Sequence, residues 1–183
     1  MCEYDIVFNN NLVTLLNTQD LSKIMFFDEI YTIEIVQSIF VYKDSYYFDD
    51  KKKNILILIQ NEKYLEIYLS QVFRKILTNI IKLKVDNIIN ETSLPRYNTV
   101  RVKDQISIWG SCSKKGNINL NWRIGLLPIP ISRYVIIHEL CHLIEFNHSS
   151  SFWKLVSQFD KNYILHRKWI KINGIKIMQL FRF

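Results

Sequence analysis

The chain has 183 residues, of which 49% are hydrophobic, 14% aromatic and 22% charged. A chain of this length and composition can bury a full core, so we expect one domain, or one domain with a small extra layer, and exclude a disordered or fibrous protein. The 24 Lys and Arg residues outnumber the 17 Asp and Glu residues, and the resulting net charge of +7 weakly favours anionic partners.

Charged side chains interrupt every long apolar stretch, so the sequence contains no run of about 18 apolar residues and a membrane protein is not expected. The first ten residues include Glu3 and Asp5 and lack the basic start and apolar run of a secretory signal. We therefore expect a cytoplasmic protein. Its cysteines are expected to remain free thiols.

The first 60 residues are predicted to form a β-rich segment. Residues 31–36 partly alternate between apolar and polar side chains, and residues 55–59 are a short run of Ile and Leu. The polar residues 49–54 between them are typical of a turn. We take residues 1–60 as an N-terminal segment and residues 61–183 as the domain that follows it.

That second domain is predicted to begin with a long amphipathic helix over residues 61–89. Apolar side chains recur there at spacings of three and four, at Leu65, Leu69, Val72, Ile76, Ile80 and Leu83. Residues 100–109 and 117–122 are then predicted as two strands. The segment Ser-Lys-Lys-Gly at 113–116 between them supplies the small and flexible residues of a hairpin turn. The two strands should therefore pair antiparallel.

The second of these strands alternates with a strict period of two. Ile118, Leu120 and Trp122 fall on one face, whereas the other face carries Asn117, Asn119 and Asn121. Prolines at 128 and 130 end the strand region, and Ser132 is a candidate N-cap for a helix reaching about residue 146. Shorter helices are predicted over residues 152–159 and 166–172.

The helix after Ser132 contains His138-Glu139-Leu140-Cys141-His142, which fits the pattern H-E-x-x-H. Positions four apart on a helix differ by about 400° of rotation and roughly 6 Å of rise, so both imidazoles project from one face. Such a pair can hold a metal ion, and the Glu139 carboxylate can reach a metal-bound water. Buried polar side chains of this kind are costly unless they are paired or bind a metal.

A zinc ion used for catalysis takes three protein ligands and leaves a fourth position open. His148 is the favoured third ligand, because it follows His142 by six residues and a left-handed Asn147 would return the chain toward the metal. Glu145 is the competing ligand, but it lies roughly 10 Å from His138 along the helix axis. We therefore predict one Zn²⁺ per chain, held by His138, His142 and His148.

Four segments together resemble the YgjP-like metallohydrolases, a family related to the WLM and SprT-type zinc proteases. These segments are Trp-Gly-Ser-Cys at 109–112, Gly-Asn-Ile-Asn-Leu-Asn-Trp at 116–122, residues 134–143 around H-E-x-x-H, and residues 147–153. The likeness extends roughly from Leu94 to Trp169. It implies an α+β, zincin-like catalytic domain, in which the H-E-x-x-H helix packs on a small antiparallel sheet and follows a β-rich segment and a long helix.

The resemblance implies a metal-dependent hydrolase that uses zinc and a catalytic glutamate at Glu139. The reaction we predict is peptide hydrolysis, in which Glu139 takes a proton from the attacking water and returns it to the leaving amine. A peptide or an unfolded protein is the expected substrate. Zincins commonly lay an extended substrate along an exposed edge strand, so Asn119 and Asn121 are predicted to bind substrate, with a merely solvated strand face as an equal alternative.

Two other functions remain open from the sequence. A nucleoside triphosphate offers a phosphoanhydride that the same activated water could attack, and a basic chain would attract it. A DNA-associated protein that processes other proteins, or uses zinc without catalysis, is the third hypothesis. The sequence contains no separate basic or zinc-binding module that would support this third hypothesis.

One position departs from the family pattern. Relatives usually carry Arg immediately before Trp-Gly-Ser-Cys, where this chain has Ile108. The role of that arginine is absent or is supplied by another residue, for which Arg101 and Arg123 are candidates. On a late helix, His166 and Arg167 could stabilise an oxyanion or could be surface residues.

Overall fold

The computed structural model describes residues 22–38, 40 and 42–181, which combine helices with two small sheets. The predicted α+β class is therefore confirmed. The chain forms two compact units, one reaching Phe73 and the other beginning at Arg74, so the boundary falls within helix α1 (Leu65–Glu91). The division after residue 60 stays a prediction. Among the described helices, none combines the length and apolar character needed to cross a bilayer.

The first unit contains a four-stranded sheet. Its strands are β1 (Lys23–Phe26), β2 (Glu29–Gln37), β3 (Ser45–Asp49) and β4 (Asn54–Ile59), in the order β1-β2-β4-β3. β2 and β4 are parallel, whereas β1 with β2 and β3 with β4 are antiparallel. The strands predicted over residues 31–36 and 55–59 are confirmed, and the part of the predicted segment before residue 22 lies outside the described residues.

The long helix predicted over residues 61–89 is confirmed as α1 (Leu65–Glu91), but its buried face departs from the predicted stripe. The stripe correctly places Leu65, Leu69, Val72 and Ile76 in the core, but Leu83 is 63% exposed. The buried line continues instead through Leu77, Ile81, Val85 and Ile88. Helical spacings of three and four residues fit both the predicted set, Ile80 and Leu83, and the observed set that begins at Leu77. Packing within the second unit buries the observed set.

The second unit contains a three-stranded sheet of β5 (Thr99–Lys103), β6 (Gly110–Cys112) and β7 (Asn117–Asn121), in the order β5-β7-β6. The predicted hairpin turn is confirmed between β6 and β7, where the Gly116 N–H donates to the Ser113 carbonyl at 2.8 Å and Gly116 adopts a φ of 72°. The strand predicted over residues 100–109 is wrong in its second half, because β5 ends at Lys103 and residues 104–109 form a loop that leads to β6. β5 pairs with β7 in parallel, so the predicted antiparallel pairing holds only for β6.

Side chains from the last residue of β7 and just beyond it explain why the chain leaves the sheet after Lys103. The Asn121 amide donates to the backbone carbonyls of Gln105 and Ile108, at 2.9 and 3.2 Å. The fully buried Arg123 guanidinium forms an ion pair with Asp104. These contacts satisfy polar groups of the 104–109 loop that would otherwise require a strand partner.

Three helices complete the second unit: α2 (Ile129–Cys141), α3 (Ser150–Phe159) and α4 (Tyr163–Met178). The prediction of Ser132 as N-cap is wrong, because α2 begins three residues earlier and the Ser132 hydroxyl donates to the Ile129 carbonyl at 2.9 Å. Pro130 fits the first turn, where a backbone N–H has no partner within the helix. α2 also ends at Cys141 rather than near residue 146, whereas α3 and α4 contain the two predicted late helices.

A 3-10 turn (Trp122–Leu126) joins β7 to α2 and requires a glycine at one position. A β-carbon on Gly125 would lie 2.3 Å from Cδ2 of the buried Leu77. We expect Gly125→Ala to lower the free energy of unfolding by about 1–3 kcal/mol, because the core must shift to accept the methyl group. Denaturant titration measures this loss. In a double-mutant cycle with Leu77→Ala the two effects should be coupled, and simple additivity would contradict the clash.

Candidate metal centre and active site

Three histidines converge at the C-terminal end of α2. His138 lies in the last turns of the helix, and His142 is its C-cap with a helical φ of −66°, so the four-residue spacing keeps both rings on one side. The chain then turns tightly, with the N–H groups of Ile144 and Glu145 donating to the Cys141 carbonyl at 3.0 Å each. Asn147 does not adopt the left-handed conformation expected of it, because this turn already reverses the chain.

The third histidine, His148, closes the cluster from the loop before α3. Its Nε2 lies 2.9 Å from Nε2 of His138, and one nitrogen from each of the three rings lies within 4.8 Å of the others. The rings of His142 and His148 are 4.8 Å apart, centroid to centroid. Nitrogens bound to one tetrahedral zinc at about 2.0–2.1 Å lie roughly 3.3 Å apart, so these rings are already near that arrangement.

A backbone contact fixes the orientation of the His142 ring. Its Nδ1 lies 2.9 Å from the Glu145 carbonyl oxygen, which can only accept, so Nδ1 carries the hydrogen and Nε2 keeps a free lone pair. Hydrogen bonds of this kind commonly orient histidines that bind metals. Glu145 therefore supports the cluster through its backbone, and its carboxylate is not part of the three-histidine group.

Aromatic side chains from the first turn of α3 pack on the histidines. Phe152 is fully buried and contacts all three rings, stacking on His142 with centroids 4.5 Å apart and an interplanar angle of 24°. Trp153 stacks on His148 at 5.6 Å and 27°. Both aromatic residues thus pack against the cluster, and their position holds the imidazoles in fixed planes.

The environment of the cluster favours the neutral form of His138 and His148. Burial lowers the pKa of His138 to about 3, and the neighbouring His142, His148 and Arg167 charges lower it further. Burial, followed by His142 and Arg167, also lowers the pKa of His148. Neutral imidazoles present the lone pairs that a divalent metal requires.

Glu139 follows His138 on α2 and is 6% exposed. Burial raises the pKa of its carboxyl group to about 8, and its Oε2 has no hydrogen-bond partner among the described residues. The buried His138 Nδ1 also lacks a partner there. An unpaired carboxylate oxygen beside three converging lone pairs fits a site that takes a divalent metal and a water, because buried polar groups otherwise find partners.

The family profile described as YgjP-like, metallopeptidase domain, matches residues 9–173. The chain belongs to this family. The resemblance inferred from the sequence is thereby confirmed, and this chain contains a metallopeptidase domain of the YgjP-like type. No curated protein sequence matches the chain significantly. The crystal structure of the metallopeptidase zymogen of Pyrococcus abyssi abylysin is similar at 24% identity, with a TM-score of 0.45, over 51% of this chain and 93% of that one.

The structure corrects the predicted substrate-binding face of this YgjP-like domain. β7 is the central strand of its sheet rather than an exposed edge, so the premise for Asn119 and Asn121 is wrong. Asn121 is fully buried and holds the 104–109 loop. Asn119 donates to the Ser111 hydroxyl at 3.1 Å, across to β6. Both side chains therefore stabilise the sheet, and the edge next to Glu139 is β6.

Arg101 and Arg123, the two candidates to replace the family arginine, lie in different environments. Arg123 is buried against Asp104 and donates through Nε to the Leu180 carbonyl at 2.8 Å, so it has a structural role. Arg101 is exposed on β5, and Ile108 is 44% exposed. Neither Arg101 nor Arg123 is therefore observed in contact with the three histidines, where it could replace the family arginine.

Sequence reasoning missed some neighbours of the site. A β-carbon on Gly110 of β6 would lie 2.5 Å from Cγ of Glu139, so only glycine allows this close approach. Tyr134 precedes His138 by one helical turn, and its ring lies 5.9 Å from that of His138 and 6.2 Å from that of His166. The four-residue spacing of Tyr134 could have identified it, whereas the approach of Gly110 depends on the tertiary structure.

Proposed function

We propose that this chain is a zinc-dependent peptidase in which His138, His142 and His148 hold one zinc ion and Glu139 is the general base. The observation that carries the proposal is the convergence of three imidazoles within 4.8 Å beside an unpaired, buried carboxylate. Three imidazole ligands are a donor set that suits catalytic zinc and leaves a position open. Zinc at such a site supplies Lewis acidity, which acidifies water and polarises a carbonyl group.

The protein side of the reaction rests on Glu139. Glu139 follows His138 on α2 and lies outside the three-histidine group, so we place it as a base rather than as a ligand. We propose that one carboxylate oxygen accepts a proton from the attacking water and then delivers it to the leaving amine. Burial excludes bulk water from the carboxylate, which strengthens its interaction with the reacting groups.

The substrate is proposed to bind along β6, in an extended conformation. β6 is an edge strand of the described sheet, and its first residue, Gly110, lies against Glu139. Unpaired backbone groups on an edge strand can hydrogen-bond to a peptide that adds as a further strand. Gly110 would then place the peptide backbone close to the carboxylate.

Gly110→Ala tests this arrangement. The new methyl group would overlap Cγ, Cδ and Oε1 of Glu139, all within 2.7 Å of it, and would displace the carboxylate. We expect kcat/KM to fall by about 100-fold, since displacing a reacting group by about 1 Å costs that much. Zinc content should stay at one per chain because no ligand is touched. Full activity in the alanine variant would contradict the proposed contact.

The experiment that tests the proposed function is cleavage of a reduced, unfolded protein by the zinc-loaded chain. We expect new peptide termini, identified by mass spectrometry, that disappear when a chelator removes the metal and return when zinc is added back. Pyrophosphate release from nucleoside triphosphates, assayed on the same preparation, should remain at background. Phosphoanhydride hydrolysis without peptide cleavage would overturn the proposal.

The family comparison favours peptides over the two alternatives. The matched family is described as a metallopeptidase domain, a description that names peptide hydrolysis. We therefore keep peptide hydrolysis as the single proposed function. Zinc as the metal, rather than another divalent ion, is part of the proposal because three imidazoles are its common ligands.

A further inference from the structure

Arg167, on α4, carries a charge that no described acidic residue neutralises. Its guanidinium carbon lies 4.5 Å from the centre of the Trp153 ring. This is the only cation–π contact of Arg167 among the described residues. No carboxylate lies within ion-pair distance of it in that part of the chain. Its side chain is exposed, so its N–H groups face solvent rather than the core.

The Trp153 ring connects Arg167 to the proposed metal ligands. That ring lies 5.7 Å from the His138 ring and 5.6 Å from the His148 ring, centroid to centroid. Arg167 therefore lies beside the reaction centre rather than on a remote surface.

The chain around Arg167 is strongly basic. Residues 150–178, which contain α3 and α4, include six Lys or Arg residues, all exposed: Lys154, Lys161, Arg167, Lys168, Lys171 and Lys176. Their single acidic residue is Asp160, and its carboxylate is already 2.7 Å from Nδ1 of His166. A concentration of one sign of charge beside a site raises the local concentration of ligands of the opposite sign.

We propose that Arg167 binds a carboxylate of the substrate, so that the chain prefers peptides carrying a negative charge near the cleaved bond. This assignment rests on the proposed peptidase function and names its substrate class. The Trp153 ring contacts the guanidinium at 4.5 Å and restrains it, while the exposed Arg167 side chain has no acidic partner among the described residues. A guanidinium with free N–H groups can bind a carboxylate through two hydrogen bonds. An Asp or Glu side chain, or the C-terminal carboxylate of a short peptide, supplies the same chemistry.

Matched peptides test the assignment and separate these sources. One set carries a single Glu, or the isosteric Gln, at each position in turn around a cleaved bond, and a second set ends in a free carboxylate or an amide. The zinc-loaded chain should cleave the best Glu peptide, or the free acid, at least about tenfold faster in kcat/KM than its neutral match. Which set responds identifies the source of the carboxylate.

Substitutions at Arg167 should change this preference. Arg167→Gln should abolish the discrimination between Glu and Gln, and Arg167→Glu should reverse it toward a Lys peptide. The matched control is Lys168→Gln, the exposed neighbour on the same helix, which should keep the wild-type preference. If the wild type cleaves Glu and Gln peptides at equal rates, and also cleaves the free acid and the amide at equal rates, the assignment is overturned while the peptidase function stays intact.

Binding measured without turnover provides the second readout. In the zinc-loaded Glu139→Gln variant, calorimetry should give tighter binding of the Glu peptide than of the Gln peptide, and Arg167→Gln in that background should remove the difference. Equal binding of the Glu and Gln peptides, together with equal binding of the free acid and the amide, would overturn the assignment. Absence of cleavage by the wild type, together with selective binding here, would overturn the peptidase function but support Arg167 as a carboxylate-binding residue.

Discussion

Glu139→Gln should leave the zinc content of the protein at one ion per chain and lower peptide hydrolysis by about 10²–10⁴-fold. The amide has nearly the shape of the carboxylate, so the buried side chain still fits, but it cannot accept a proton from water. Glu139 is not one of the three grouped histidines that we propose as ligands, so metal binding should survive the substitution. Metal analysis and kcat/KM on the same preparation measure both effects.

The matched control is Glu145→Gln. Glu145 lies close in sequence, but its backbone carbonyl, which the substitution preserves, makes the contact with His142. We expect near wild-type activity and zinc content for this variant. Comparable losses in both variants would show that negative charge near the cluster matters in general, and would contradict a specific general base at Glu139.

The second large effect is expected for His148→Ala. This substitution removes one of three proposed ligands, and we expect the affinity for zinc to fall by more than about 100-fold, because changes at residues that only support ligands already cost 10–100-fold. Competition with a chromophoric chelator measures the affinity. Activity at limiting zinc should fall with it, whereas the fold should persist because His148 is exposed.

The fourth histidine of the chain provides the control for this prediction. His166 lies next to Tyr134 and bonds to Asp160, outside the three-histidine group. His166→Gln should therefore keep one zinc per chain at wild-type affinity. Unchanged zinc binding in His148→Ala, or an equal loss in His166→Gln, would show that the third ligand is assigned wrongly.

The arrangement of the histidines could be predicted because most of it is local. Helical rotation alone brings His138 and His142 to one face, so the H-E-x-x-H spacing determines their relation before any tertiary contact forms. His148 follows within six residues of His142, and the tight turn after Cys141 returns it to the cluster. The expected mechanism of that return, a left-handed Asn147, was wrong because backbone hydrogen bonds reverse the chain instead.

The sheet of the second unit could not be predicted in the same way, because distant contacts decide it. Asn121 bonds to carbonyls 13 and 16 residues earlier and to Sδ of Met178, 57 residues later. These contacts end β5, bury Asn121 and make β7 the central strand. Alternation of Ile and Asn along β7 correctly indicates a strand, but it does not say whether the asparagines meet solvent or a neighbouring loop.

The most direct test of the metal centre is a crystal structure of the zinc-loaded protein with anomalous scattering recorded at the zinc edge. We predict a single anomalous peak per chain, about 2.0–2.1 Å from one nitrogen of each of His138, His142 and His148, with the Glu139 carboxylate outside bonding distance. A peak elsewhere, or a fourth protein side chain that fills the remaining position, would contradict the proposed active site.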